Sequence, residues 1–417
     1  MKESLSREAR SRWILAALYA AWIVSYIDRT VVSLALSQIG LDMKLEASAL
    51  GVVLSSFFVG YALMQIPGGW LGDRFGSRKV IVFAVLMWSV FTGLTGAAWS
   101  LTSLLLIRFL FGIGEGAYPA ASTKAVSDYF ARAKRTKAQA TMMSSNALGG
   151  AIAPIVCTPF LLWLGWRHTF LAISFLGVII VAWFLLITRR AAVTQDAPTA
   201  SKADKGVYKE LLRNTTLWKV MLLFFFANIA SWGLSSWMPT YLMEAQGIDL
   251  KSAGLISVIP GLIGVLGMLV SGRILDRIGA KAKYAVTCCL ACYAISLFLI
   301  TQAVSLLQVM TLMSLATMFG SFTLSFVFTL PHRLMKQRVV ASSFGMLNFG
   351  GQAAGIVSPT IMGLLISASG GSFNSAFLFL TGSCLMAAVV SLTIPKLNQP
   401  KETLIDPPAA AVPAEPV

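Results

Sequence analysis

"GGWLGDRFGSRK" (residues 68–79) has a counterpart in "GRILDRIGAKAK" (residues 272–283). Both follow the pattern Gly-x3-Asp-Arg-x-Gly-x-Arg/Lys. The first copy supplies Gly69, Asp73, Arg74, Gly76 and Arg78, and the second Gly272, Asp276, Arg277, Gly279 and Lys281. The copies lie 203 residues apart, and Pro154 and Pro359 repeat at nearly the same offset, 205 residues. One matched loop can arise by chance. A charged loop and an apolar-segment proline at nearly equal offsets indicate an internal duplication.

The chain around each copy is apolar. Of 417 residues, 57% are hydrophobic and 12% charged; the mean hydropathy is +0.76. A soluble protein carries about 25% charged residues, so this composition describes a polytopic membrane protein. Twelve apolar segments are read at 13–37, 49–71, 80–98, 101–123, 141–164, 168–188, 217–243, 252–275, 284–303, 305–330, 341–367 and 372–394. The matched loops fall between the second and third segment of each half. The expected fold is all-α: twelve transmembrane helices in two six-helix bundles, residues 1–188 and 217–395. A cytoplasmic central loop, 189–216, joins them, with a flexible linker at 194–206. A Pro/Ala-rich, disordered cytoplasmic tail, 396–417, follows. The first segment is too long for a cleavable signal and has no small-residue cleavage site behind it.

Lysine and arginine set the orientation. With the N-terminus in the cytoplasm, the inner loops collect Arg7, Arg10, Arg12, Arg74, Arg78, Lys79, Arg132, Lys134, Arg135 and Lys137 in the first half alone. The outer loops of the whole chain hold Lys44, Arg167 and Lys251. That asymmetry places both termini in the cytoplasm. The net charge of +16 is therefore topological and implies no nucleic-acid partner. The expected setting is a bacterial inner (plasma) membrane, and the expected unit a monomer. Five cysteines lie in apolar segments and read as packing residues. Two histidines, His168 and His332, leave no plausible metal or haem site, and no cofactor is expected. "GIGEG" (112–116) lacks the strand–turn–helix context of a dinucleotide loop. No nucleophile triad or zinc-protease motif appears, so the chain is not expected to be an enzyme.

The paired loops, with "YIDR" (26–29), "RFLFGIGEGAYPAA" (108–121), "WMPTYL" (237–242) and "FGMLNFGGQAAGIVSP" (344–359), resemble the major facilitator superfamily over residues 10–395. Within it, the chain is similar to the anion:cation symporter group, which includes sialin-like, D-galactonate and hexuronate transporters. It departs from that group's pattern at Tyr129, where members often carry Trp. It also lacks the acid often seen ahead of the eleventh span. The resemblance implies alternating access, with the two bundles rocking about a midplane site. The loop motif would gate it: its glycines permit close approach, and its Asp can latch the cytoplasmic ends.

Four charges stand in the apolar segments of the first half: Asp28, Arg29, Arg108 and Glu115. Each costs about 2.5–3.5 kcal/mol at the bilayer centre unless paired or hydrated, which marks all four as functional candidates. A structural salt-bridge network is the plainer alternative, but buried ion pairs are poor stabilisers. A carboxylate beside an arginine stays ionised; neutralising or removing the arginine favours its protonation. Asp28 and Glu115 are thus the candidate proton sites. Arg29 and Arg108 would alternate between holding these acids and holding an anionic substrate, and the resemblance implies the same roles. Tyr26, Tyr61, Gln65, Asn146, Ser325 and Asn348 are candidate polyol contacts, with Trp232 and Trp237 as further candidate lining. The second half has no charge at midplane depth and would supply neutral contacts.

The expected activity is proton-coupled symport of a small organic anion, a sugar acid such as a hexuronate, aldonate or aldarate. An organophosphate:phosphate antiporter on the same scaffold would favour an arginine in each half. A drug:proton exporter would favour paired glycines after Pro154. Neither is present.

Overall fold

The computed structural model describes residues 7–189, 211–335 and 340–395. The helices are α1 (Arg7–Met43), α2 (Ala47–Phe75), α3 (Ser77–Gly96), α4 (Leu101–Gly116), α5 (Tyr118–Tyr129) and α6 (Arg132–Thr188). The second half follows with α7 (Thr215–Glu244), α8 (Leu250–Ile278), α9 (Ala282–Ile300), α10 (Leu306–Leu334), α11 (Val340–Ala368) and α12 (Asn374–Thr393). Two details adjust the expected count of spans. The fourth span is broken into α4 and α5, because Pro119 has no N–H to donate to the Glu115 carbonyl. The fifth and sixth spans form the single run α6, which turns at Gly165 with φ 69° and ψ 171°. Counted this way the described residues hold twelve helical spans, the number its sequence predicts. The central linker 194–206 and the tail 396–417 lie outside the described residues.

The helix starts follow local chemistry. Ser100 and Ser103 form a reciprocal capping box at α4. Asn214, Asp249 and Ser305 cap α7, α8 and α10 with side-chain acceptors. Gly76, which ends α2, sits at φ 84°, and Gly279, after α8, at φ 51°. These turn glycines of the two copied motifs occupy the left-handed region that glycine tolerates best.

The helices sort into two bundles. In the first, α1 packs on α6, α2 on α4, and α3 on α4 and α6; in the second, α8 packs on α10, α9 on α10 and α12, and α7 on α11 and α12. Between bundles the chief partners are α2 with α11, α6 with α8, and α1 with α7. One end of the molecule carries the start of α1 and the basic loops; the other is called here the far end. The inter-bundle contacts gather toward the far end. Ser48 N–H donates to Ser367 Oγ at 2.9 Å, and Thr360 Oγ1 to Ser55 Oγ at 2.8 Å. Ser37 on α1 donates to Glu244 on α7. A Cβ added to Gly51 would stand 2.4 Å from the Pro359 carbonyl oxygen, so only glycine permits this approach.

Toward the basic end the same helix faces separate. The α2 face that meets α11 at Gly51, Ser55 and Phe58 continues to Ile66 and Asp73, both exposed. On α11, Asn348 and Phe349 are exposed where Gly355 and Pro359 are in contact. The bundles close at the far end and part at the basic end.

Candidate functional site

Asp28 and Arg29 lie mid-way along α1, and Arg108 and Glu115 two turns apart on α4. The approach of α2 to α4 brings aromatic rings between them. Gly112 packs so close to α2 that an added Cβ would stand 2.2 Å from the Phe57 carbonyl oxygen. That contact sets Phe57 and Tyr61 against the charges. Asp28, Arg108 and Glu115 are 1%, 3% and 1% exposed.

The four charges are not two matched pairs. Arg29 holds Glu115: its Nε–H donates to Oε1 at 2.8 Å, and Nη2 makes a 2.6 Å ion-pair contact less well aligned for hydrogen bonding. Ser25 also donates to Glu115 Oε1. Oε2 of the same carboxylate is buried without a partner. The Arg29 guanidinium carbon lies 5.1 Å, 4.9 Å and 4.8 Å from the rings of Tyr26, Phe57 and Tyr61. Arg108 stands apart, 4.3 Å from the Phe111 ring, with Nε and Nη1 buried and without hydrogen-bond partners. Asp28 Oδ1 is likewise buried and unpartnered. Among the described residues, no ion pair within 4.0 Å links Arg108 to Asp28.

A cavity of about 390 Å³ opens between the bundles. Tyr26, Arg29, Arg108 and Asn146 line it from the first half, and Asn146 Oδ1 is another buried acceptor without a partner. Asp28 and Glu115 sit behind this wall rather than in it. From the second half, α7, α8, α9 and α10 contribute Trp232, Ser235, Ser257, Tyr293, Thr317 and Ser321. The cavity has the size and the mixed apolar and polar character of a small-molecule site.

Several candidates fall elsewhere. Tyr61 is buried against Arg29 and does not line the cavity. Ser325 shares a 2.5 Å hydrogen bond with Ser271 between α8 and α10. Gln65 and Asn348 lie on the diverging faces of α2 and α11 toward the basic end, outside the cavity lining. Of the two tryptophans, Trp232 lines the cavity, while Trp237 is 1% exposed and donates to the Pro359 carbonyl at 3.2 Å. The cavity-lining hydroxyls Ser235, Ser257, Thr317 and Ser321 of α7, α8 and α10 are not among the sequence candidates. Their only signal is a spacing such as Ser231 and Ser235, which helix packing would use equally well.

In the repeated loop, Asp73 Oδ1 pairs with Lys124 of α5 at 3.2 Å, within its own bundle. Arg74 is exposed over the Trp70 and Phe75 rings, and Arg78 Nε is buried without a partner. Gly69 packs loosely on α5, whereas Gly272 faces open space. Arg277 is exposed, and the Asp276 side chain lies outside the described set.

A family model described as Major Facilitator Superfamily matches residues 18–359. Among curated proteins, the chain is 28% identical to the hexuronate transporter of Bacillus subtilis (strain 168), over 95% of this chain and 98% of that one. It is 34% identical to the "Probable sulfoacetate transporter SauU" of Cupriavidus necator, over 91% and 93%. Among solved structures, it resembles a bacterial homolog to the human lysosomal transporter Spinster, in an inward-facing and unoccupied conformation. There the TM-score is 0.76 at 19% identity, covering 92% of this chain and 95% of that chain.

Proposed function

Because the chain belongs to the Major Facilitator Superfamily, a family of transporters and not of enzymes, we propose that it is a proton-coupled symporter of a small organic anion. The anion is a sugar acid of the hexuronate, aldonate or aldarate type. One observation carries this reading: Arg108, 3% exposed, borders the cavity with two guanidinium nitrogens unpartnered. A buried guanidinium without partners is costly, and a carboxylate matches its fork.

The acids behind the wall supply the coupling. Arg29 and Glu115 neutralise each other in this state, whereas Asp28 has no such partner. Asp28 and Glu115 are the two acids of this reading that exchange protons with the bulk. Protonating Glu115 releases Arg29 from its carboxylate and leaves that guanidinium against the Tyr26, Phe57 and Tyr61 rings, while Arg108 holds the substrate anion. The bundles, residues 1–188 and 217–395, then rock about the cavity, with the two Gly-x3-Asp-Arg loops closing the basic end. That end, with both termini, faces the cytoplasm, and the protein works as a monomer in a bacterial inner membrane. Organophosphate exchange is less well supported, because no cation lines the cavity from the second half among the described residues. Drug efflux fits poorly with a wall whose cations, among the described residues, are two arginines suited to anions.

The test is uptake of labelled sugar acids into proteoliposomes, with and without an imposed pH gradient, for the parent chain and Glu115→Gln. The expected result is accumulation only with the lumen alkaline, and a variant that exchanges substrate but no longer concentrates it. Exchange of a phosphate ester regardless of pH, without sugar-acid uptake, would overturn the assignment.

A further inference from the structure

The sugar acids named above differ in charge. Hexuronates and aldonates carry one carboxylate, and aldarates carry two. The two curated relatives reported above differ in the same way: by their names one carries hexuronate, a monoanion, and the other sulfoacetate, a dianion. The cavity wall distinguishes these classes. Two cations line it among the described residues, and Arg29 is already neutralised by Glu115. Arg108 is left to meet one anionic group.

Four hydroxyls of the opposite wall are placed to accept hydrogen bonds. Ser235 Oγ donates to the Trp232 carbonyl at 3.2 Å, and Ser257 Oγ to Ala253 at 2.6 Å. Thr317 Oγ1 donates to the Pro260 carbonyl at 2.8 Å, and Ser321 Oγ to Gly264 at 2.7 Å. Each of these hydroxyls has given its proton to the backbone, so its lone pairs remain for a ligand. Pro239 adds to this, since it has no N–H for the Ser235 carbonyl one turn earlier. The remaining hydroxyls of that wall, Ser231, Ser236 and Tyr293, can donate but carry no positive charge.

From these observations we infer that the substrate is a monoanion whose carboxylate meets Arg108 and whose far end is a polyol donating into the second bundle. A second carboxylate placed there would meet no cation among the described residues, and would face lone pairs at four of the lining hydroxyls. The inference rests on the sugar-acid reading and narrows it.

Equilibrium binding to the purified full chain at neutral pH separates the two. D-glucuronate and D-gluconate are the monoanion probes, and D-glucarate is the dianion probe. The monoanions should bind at least about tenfold more tightly, the scale of one charged hydrogen bond left uncompensated. Equal or tighter binding of glucarate overturns the charge inference and leaves the sugar-acid reading standing. Binding of none of the three overturns that reading and the inference with it. A second arm uses Ser235→Lys, at an exposed lining position. Its ammonium should narrow the monoanion preference to within about threefold, since it supplies the missing charged donor. An unchanged preference in this variant, with gluconate still bound, shows that charge at this wall does not set specificity.

Discussion

Gly51→Val tests whether the α2–α11 contact is the far-end gate. A Cβ at residue 51 would stand 2.4 Å from the Pro359 carbonyl oxygen, and ordinary contact begins near 3.4 Å. The helices must therefore part by about 1 Å, and valine adds two further methyl groups. Because the obstacle is backbone, no side chain can swing away. Overpacking of this kind costs about 1–3 kcal/mol. The penalty falls on the state with the far end closed and is relieved where the bundles separate there. The ratio of far-end-open to far-end-closed molecules should rise about 5- to 150-fold. The reporter is Ser235→Cys, on the cavity wall. It is labelled on intact cells with a membrane-impermeant maleimide, with the parent cysteines as background. Labelling from outside should be slow in the reporter alone and markedly faster with Gly51→Val. If the rate does not change while the variant still folds and labels in inverted vesicles, the gate lies elsewhere and the packing argument fails.

Three further outcomes follow from the charged cluster and its surroundings. Glu115→Ala should lower stability by about 3–5 kcal/mol, because it strands Arg29; thermal unfolding should show Arg29→Met/Glu115→Ala losing less than Glu115→Ala alone. Arg108→Gln should abolish sugar-acid binding while leaving the melting temperature near that of the parent, since Nε and Nη1 have no protein hydrogen-bond partners to lose. Asp73→Asn breaks a half-exposed pair with Lys124, so unfolding should shift by no more than about 1 kcal/mol. A large loss of transport rate in that variant would assign the loop to gating rather than stability.

The sequence makes some features plain and leaves others open, for physical reasons. A charge in an apolar window is costly enough to stand out, and so Asp28, Arg29, Arg108 and Glu115 were all visible. Their pairing was not, because adjacent acids and bases allow more than one partition; the structure joins Arg29 to Glu115 and leaves Arg108 free. Ser25, which donates to Glu115, carries no distinguishing pattern. The turn at Gly165 was readable only as a three-residue gap, since its flanks stay apolar. Isolated hydroxyls were the least legible. Ser325 and Ser321 lie one turn apart on α10, yet one bonds Ser271 across the helix pair and the other lines the cavity. Helical periodicity places them on neighbouring faces, and the identity of the packed neighbour decides which role each takes.

The rings around Arg29 have one more consequence. Once its carboxylate partner is protonated, a guanidinium at this depth would ordinarily draw in water or pull the helices apart. Tyr26, Phe57 and Tyr61 instead present their π-electrons within 5.1 Å of it, each contributing about 0.5–2 kcal/mol. They act as a dry berth in which the cation can wait between partners. A proton can then arrive or leave without flooding the bundle. Tyr61→Phe should keep that berth and Tyr61→Ala should empty it, so proton leak without substrate is expected to rise in the second variant and not in the first.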